Sequence, residues 1–318
     1  MPRFIGWAQK KNKVQPINKW VQEHHHDKSN TPTMGGVVFI GSTIIASIIS
    51  VNLENSFAIG AMAVLLFFMF IGYGDDSDKI KYNKNSAGLS AKAKLVAQIL
   101  GGAGISFYLY HFTSLNTEFY VPFLKEPLFN LHAYAMILWT LVIVSASNAV
   151  NLTDGLDGLA TVPSLIAIAS LGFIVYATGN YIIGDYLLIP YFNVGEVMVV
   201  CAALMGSLTG FLWFNCNPAE VFMGDSGSLS IGAFIAYLSI ISKSEVLLLL
   251  IGFIFVIETL SVILQVGSFK LRKKRIFLMA PIHHHFEQKK WSENKIIIRF
   301  WIIAAISNII ALITLKIR

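Results

Sequence analysis

Charge is the scarcest ingredient of this chain: Asp, Glu, Lys and Arg together make up 13% of its 318 residues. A soluble domain carries about 25%. With 55% hydrophobic residues and a mean hydropathy of +0.64, the sequence is built for lipid as its solvent. Cysteine is also rare. Cys201 and Cys216 are the only two, and on one helix, at ~1.5 Å rise per residue, they would stand roughly 22 Å apart. That excludes a disulfide and leaves both as plain helix residues. Residues 1–28 have no apolar core long enough for a signal peptide. The chain has no internal repeat and no low-complexity tract.

Long apolar runs are what the sequence does have. Nine stretches, near 36–53, 57–74, 93–112, 131–150, 158–178, 195–214, 228–242, 246–268 and 296–315, are apolar enough to cross about 30 Å of hydrocarbon as helices. They predict an all-α polytopic integral membrane protein, with one transmembrane domain over residues 1–318. The seventh run is short, and its boundary with the eighth lies around Ser242–Ser244. Threaded alternately, the runs leave every Lys and Arg except Lys125, Lys243, Lys316 and Arg318 on one face. By the positive-inside rule that face is cytoplasmic. The formal charge of +6 is thereby explained and requires no nucleic-acid partner. The outer loops 52–56, 113–130 and 179–194 and the turn near 243 read as surface connections.

The acids fall on the basic face. Asp75, Asp76, Asp154, Asp157 and Asp225 each lie at or just past the end of an apolar run. Ionisable groups at such depths need partners and mark functional sites. Adjacent Asp75 and Asp76 repel unless a cation or proton is shared. A hard cation such as Mg²⁺ with a phosphate in its shell would satisfy them, and the following lysines would hold a diphosphate. A cluster of membrane-end ion pairs is the structural alternative, and Asp78, further out, reads as solvated. Residues 147–158 contain no Lys or Arg to balance Asp154 and Asp157. If that segment is helical, Asn151, Asp154 and Asp157 share one side of it. Asp225 sits between Gly224 and Ser226–Gly227 just before a run, and Phe222 is either a base-stacking residue or an interfacial anchor. Lys28 and the Gly35–Gly36 turn are able to receive an anion, or simply begin a helix. His283, His284 and His285 are consecutive, so they cannot all face one ion, and they read as donors to phosphate or sugar or as a proton carrier. The triplet His24–His26 reads as non-catalytic.

The ordered motifs TPTMGG at 31–36, DD at 75–76, GLSAK at 88–92, NLTDGLDGL at 151–159, FMGDSGSL at 222–229, ETLSVILQ at 258–265 and APIHHHFE at 280–287 resemble those of the bacterial phospho-N-acetylmuramoyl-pentapeptide transferases. That family lies within the polyprenyl-phosphate sugar-1-phosphate transferase superfamily. The resemblance spans nearly the whole chain. It implies transfer from UDP-N-acetylmuramoyl-pentapeptide to undecaprenyl phosphate, giving lipid I and UMP in the first membrane step of peptidoglycan synthesis. It also implies Mg²⁺ as cofactor, the bacterial inner membrane as location and a site facing the cytoplasm, with homodimerisation left open. By motif, Asp225 is the main magnesium ligand, with Asp154 as a second, and Asp75, Asp76, Asp225 and His283 are the catalytic set. Lys28, Thr33, Lys79, Lys92, Asn151, Asp154, Asp157, Asn215, Phe222, Gly224, Ser228, Gln265, His284 and His285 are the substrate-binding set. The lipid phosphate would attack the β-phosphorus directly, with Asp75 as base; a two-step route through Asp76 is the alternative.

The family has ten spanning helices and this sequence shows nine, as though the chain began at the tail of the first, near Phe4. A late start codon or a shortened version would both account for it. Two rivals remain. A sister transferase would move N-acetylglucosamine-1-phosphate to the same lipid, but TPTMGG and HHHFE argue against it. A cation-coupled transporter would carry its ionisable groups near the midplane within repeats, where only Glu258 lies.

Overall fold

Alternating apolar runs and polar turns resolve into a helical bundle in the computed structural model, which describes residues 1–10, 31–82 and 88–316. The helices are α1 (Pro2–Lys10), α2 (Gly35–Ser50), α3 (Ser56–Tyr82), α4 (Ala91–Phe112), α5 (Ala135–Thr153), α6 (Thr161–Thr178) and α7 (Tyr181–Leu187). They continue with α8 (Val197–Asn215), α9 (Asp225–Ile241), α10 (Leu248–Ile251), α11 (Phe253–Arg272), α12 (Ile282–Gln288) and α13 (Glu293–Thr314). Among the described residues, seven helices are long and apolar enough to span a membrane, and α2 and α9 are shorter apolar helices. Together they coincide with the nine expected runs. The eighth run is broken: α10 stops at Gly252, whose N–H bonds the Leu248 carbonyl at 2.7 Å, before α11 continues.

Helix α9 is the axis of the bundle. Every residue from Ser226 to Ile241 is buried, as expected of a helix that is apolar on all sides. It lies among α2, α3, α5 and α6, while Ile49, Phe70, Leu100, Trp213 and Ile309 on other helices point outward. Hydroxyl groups fix its height. Ser230 Oγ donates to the Leu65 carbonyl at 2.6 Å, Tyr237 to the Phe57 carbonyl at 2.6 Å, and Ser147 to the Leu229 carbonyl at 3.0 Å. The first turn of α9 is approached closely from two sides, because Gly36 and Gly72 present no side chain to it.

The far end of the bundle differs from expectation. The 113–130 connection contains a two-stranded antiparallel pairing of Glu118–Phe119 with Phe129–Asn130, and the 179–194 connection contains α7. The turn after α9 is not a surface connection, since Lys243, Ser244 and Glu245 are all buried. The Lys243 ammonium donates to the Asn116 carbonyl and lies 5.1 Å from the Trp139 ring centroid, so the loop and the turn share one buried cation. A smaller apolar cluster, separate from the main core, joins Leu156 and Leu159 to Ile254, Ile297 and Phe300.

A Cβ at position 72 would stand 2.3 Å from the Asp225 carbonyl carbon, whereas one at Gly41 meets nothing within 4 Å. Gly72→Ala is therefore expected to destabilise by about 1–3 kcal/mol, the usual cost of overpacking. Thermal unfolding in detergent should show a lowered midpoint for Gly72→Ala and none for Gly41→Ala.

Candidate active site

Helix length brings the acids together. At ~1.5 Å per residue α3 runs about 29 Å from Ser56 before it reaches Asp75, roughly the thickness of the hydrocarbon layer. Asp75 and Asp76 thus arrive at the membrane boundary while still on a helix. Asp225 arrives there as the first residue of α9. Asp76 joins the two elements. Its Oδ1 accepts the Asp225 N–H at 3.1 Å and its Oδ2 accepts the Ser226 N–H at 3.0 Å. A carboxylate here satisfies free N–H groups of the first turn and opposes the positive end of the helix dipole. Gly224, with φ +74°, lets the chain turn into α9, and a Cβ there would lie 2.6 Å from Asp76 Oδ2.

Two lysines close the cluster. Lys79, one turn past Asp75, reaches Asp75 Oδ2 at 2.6 Å and Asp225 Oδ2 at 2.9 Å. Lys94, in the first turn of α4, donates to Asp225 Oδ2 at 2.6 Å and lies 3.7 Å from Asp75 Oδ2. The other Asp225 oxygen accepts from Asn151 Nδ2 at 2.7 Å, and that amide also bonds Ser228 Oγ at 2.9 Å. Asp75, Asp76 and Asp225 each offer one oxygen within 4.8 Å of the others, a carboxylate group able to hold a metal ion. Lys94 was not foreseen, and the expected Lys92 is exposed. Residues two apart on a helix point about 200° apart, so the choice depended on the phase set by the cap of α4. Ser90 Oγ provides that cap by accepting the Ala93 N–H at 3.2 Å.

The segment 151–157 is not one helix. α5 ends at Thr153, so Asn151 belongs to the helix while Asp154 and Asp157 lie in the turns beyond it. Partial burial, then the charges of Asp225, Asp76 and Asp157, push the Asp154 carboxyl up to about 8. Asp157 turns away from the cluster: its Oδ2 accepts from Asn217 Nδ2 at 3.1 Å and from the Ala219 N–H at 3.0 Å. Other expected residues also spend their polar atoms on the chain itself. Asn215 accepts from Thr161 Oγ1 at 2.8 Å and donates to the Val221 carbonyl at 2.9 Å. Gln265 holds Ile276 and Phe277 through three hydrogen bonds. Phe222 joins the α8–α9 loop to residues 32–35 through its backbone, with its N–H on the Pro32 carbonyl and its carbonyl receiving the Gly35 N–H. Thr33 is buried beside Gly224. Lys28 lies outside the described residues.

The histidines separate as their spacing requires. His283 is buried, with Nδ1 3.1 Å from Glu258 Oε2 on α11, close enough to pair although the geometry completes no hydrogen bond between them. Its Nε2 abuts Gly155, where a Cβ would lie 2.4 Å away. His284 pairs with Glu287 through Nδ1, and His285 Nδ1 accepts the Leu278 N–H at 3.1 Å. A mainly apolar cavity of about 330 Å³ opens between α5, α9, α10 and α11, lined by Leu141, Ala149, Val150, Ile235, Phe255 and Leu260 among others, with Glu245 also on its wall and none of the clustered acids and lysines lining it. Its inner end, at Val150, adjoins Asn151.

Comparison with known proteins places the chain among relatives. The model of glycosyl transferase family 4 matches residues 57–243. A signature of phospho-N-acetylmuramoyl-pentapeptide-transferases matches residues 28–40. The phospho-N-acetylmuramoyl-pentapeptide-transferase of Sulfurimonas denitrificans is 64% identical over 318 residues, covering 100% of this chain and 90% of that protein. The protein of the same name from Nitratiruptor sp. is 61% identical, and one from Campylobacter hominis 57% identical, both over 319 residues with the same coverage of 100% and 90%.

The Glu258–His283 pair yields a stability test. His283→Ala removes the polar group closest to the buried Glu258 carboxyl, which should cost about 1–3 kcal/mol. The double change His283→Phe with Glu258→Leu removes both groups and should cost less. A double-mutant cycle on thermal midpoints reads the difference; additive losses would mean the two side chains do not interact.

Proposed function

The chain belongs to the phospho-N-acetylmuramoyl-pentapeptide transferases of glycosyl transferase family 4, and on that premise we propose a role for each part of the acid cluster. The enzyme transfers phospho-N-acetylmuramoyl-pentapeptide to a lipid carrier in peptidoglycan synthesis. The donor is UDP-N-acetylmuramoyl-pentapeptide and the acceptor undecaprenyl phosphate. The observation that carries the assignment of the site is the convergence of Asp75, Asp76 and Asp225 with Lys79 and Lys94, and an apolar cavity reaches Val150, the residue before Asn151. Such a place can receive a diphosphate and a long hydrocarbon chain together.

The residues fit Mg²⁺, because the converging ligands are all hard carboxylate oxygens. Asp225 and Asp75 would hold the ion, with Asp154 as a further ligand, and the ion would supply charge neutralisation at the diphosphate. Lys79 and Lys94 hold the diphosphate oxygens. Asn151 keeps the Asp225 carboxylate turned toward them. The polyprenyl chain lies in the cavity between α5, α9 and α11, which runs about 14 Å along α5 from Leu141 to Val150. That presents the lipid phosphate at the Asn151 end. One of its oxygens attacks the β-phosphorus, the bond to the UMP oxygen breaks, and UMP leaves. Asp75 takes the proton from the acceptor phosphate where it carries one. Both oxygens of Asp76 are engaged by α9 N–H groups, which favours direct attack over a covalent intermediate on Asp76. Phosphoryl transfer depends mainly on alignment and charge neutralisation.

His284 and His285 would meet the sugar and peptide, while His283 packs against the loop at Gly155. The basic residues Lys79, Lys81, Lys94, Lys270, Lys289 and Arg299 lie on the side of the membrane that carries the acids. This supports a site open to the cytoplasm, in the bacterial inner membrane.

UMP release by the purified protein, with Mg²⁺ and undecaprenyl phosphate, tests the assignment. UDP-N-acetylmuramoyl-pentapeptide and UDP-N-acetylglucosamine are offered separately, and release is expected only from the first. Release only from the second would transfer the chain to the sister activity. Asp225→Asn should lower the rate by about two orders of magnitude or more, the scale for losing one electrostatic stabiliser. Chelation by EDTA should abolish turnover, and added Mg²⁺ should restore it.

A further inference from the structure

Both oxygens of the Asp225 carboxylate are engaged. Oδ2 accepts both lysine ammonium groups, at 2.9 Å from Lys79 and 2.6 Å from Lys94, and Oδ1 accepts Asn151 at 2.7 Å. The Asp75 oxygen nearest this point lies 2.6 Å from the Lys79 nitrogen and 3.7 Å from that of Lys94. Asp225 Oδ2 and Asp75 Oδ2, two of the oxygens able to face a divalent cation, are therefore already covered by two positive charges. An ammonium group and a metal ion cannot share one carboxylate oxygen without strong repulsion at such distances.

Charge balance leads to the same conclusion. Three carboxylates against two ammonium groups leave one net negative charge, too little to hold a divalent ion tightly while the lysines stay in place. A diphosphate diester brings two more ionised oxygens. Both lysine side chains retain some access to the exterior, 22% for Lys79 and 16% for Lys94. A flexible four-carbon stem lets each ammonium swing toward a neighbouring anion. Asn151, whose amide is held by both Asp225 and Ser228, stays behind to keep the carboxylate oriented.

We propose that Lys79 and Lys94 are exchangeable counter-ions: they neutralise Asp225 in the free enzyme and move to the diphosphate oxygens when the nucleotide and the cation arrive together. The cation and the diphosphate then bind with positive coupling, and Lys94 is a diphosphate-binding residue of the reaction. This inference rests on the reading of Asp225 as the metal ligand.

The test is binding of Mn²⁺, followed by its electron paramagnetic resonance signal, to the full chain in detergent with and without UDP. Mn²⁺–UDP complexes measured without protein are subtracted. For the unaltered protein, UDP should tighten Mn²⁺ binding about tenfold, within the 5–150-fold span of site–site couplings. By linkage, Mn²⁺ should tighten UDP by the same factor. Lys94→Met should bind Mn²⁺ alone about tenfold more tightly than the unaltered protein, and most of the UDP effect should vanish. Lys94→Arg keeps the charge and should resemble the unaltered protein, which separates counter-ion loss from a disturbed fold. If Lys94→Met binds Mn²⁺ no more tightly while Asp225→Asn abolishes binding, the counter-ion proposal is overturned and the metal reading stands. If Asp225→Asn binds Mn²⁺ as well as the unaltered protein, the metal reading itself is overturned, and the inference with it.

Discussion

The contact on which the site depends is the pair of hydrogen bonds from the first turn of α9 to Asp76. A helix beginning at a membrane boundary has unpaired N–H groups, and burying them unpaired is costly. Asp76 answers that need from another helix. One carboxylate thereby fixes the axial position of α9 against α3, and with it the backbone of Asp225. Ser230 and Tyr237 repeat the linkage deeper in the bundle with hydroxyl groups on α3 carbonyls. The acid that holds the helix is thus distinct from the acid that faces the lysines, although the two belong to one cluster.

That division explains how so many like charges are tolerated together. Asp76 is neutralised by N–H dipoles, Asp75 and Asp225 by ammonium groups, and Asp157 by the N–H of Ala219 and the Asn217 amide. Asp154 has the poorest compensation among them, and its carboxyl is pushed up accordingly.

Much of this was legible in the sequence, because the governing rules there are coarse. Hydropathy marks the nine spans, and the alternation of faces is enough to gather the acids on the side of the lysines. What it left open turns on angles and on competition. Lys92 and Lys94 differ in which way a helix points, and only the start of α4 decides between them. Asn215, Gln265 and Asp157 have the side chains of a binding site, yet here those groups hold neighbouring backbone and loops. Composition cannot distinguish a donor kept for a ligand from one used to hold a loop. Glu258 was visible as an isolated acid within a span, but its partner His283 is distant in sequence and met only through the fold. The buried turn at Lys243 escaped for the same reason, since a cation beside a serine reads as surface until Trp139 and Asn116 are brought over it.

The complete enclosure of α9 also bears on how the protein is made. A helix with no lipid-facing side gains nothing from remaining among lipids after it leaves the ribosome. Its four neighbours, α2, α3, α5 and α6, all precede it in the chain, so the slot it fills is synthesised before it. The first part of the protein must wait in the bilayer with an open seam until α9 arrives to close it. Until then Asp76 has no helix end to receive, and the acid cluster does not exist. Assembly of the candidate site and closure of the bundle are therefore the same event in biosynthesis.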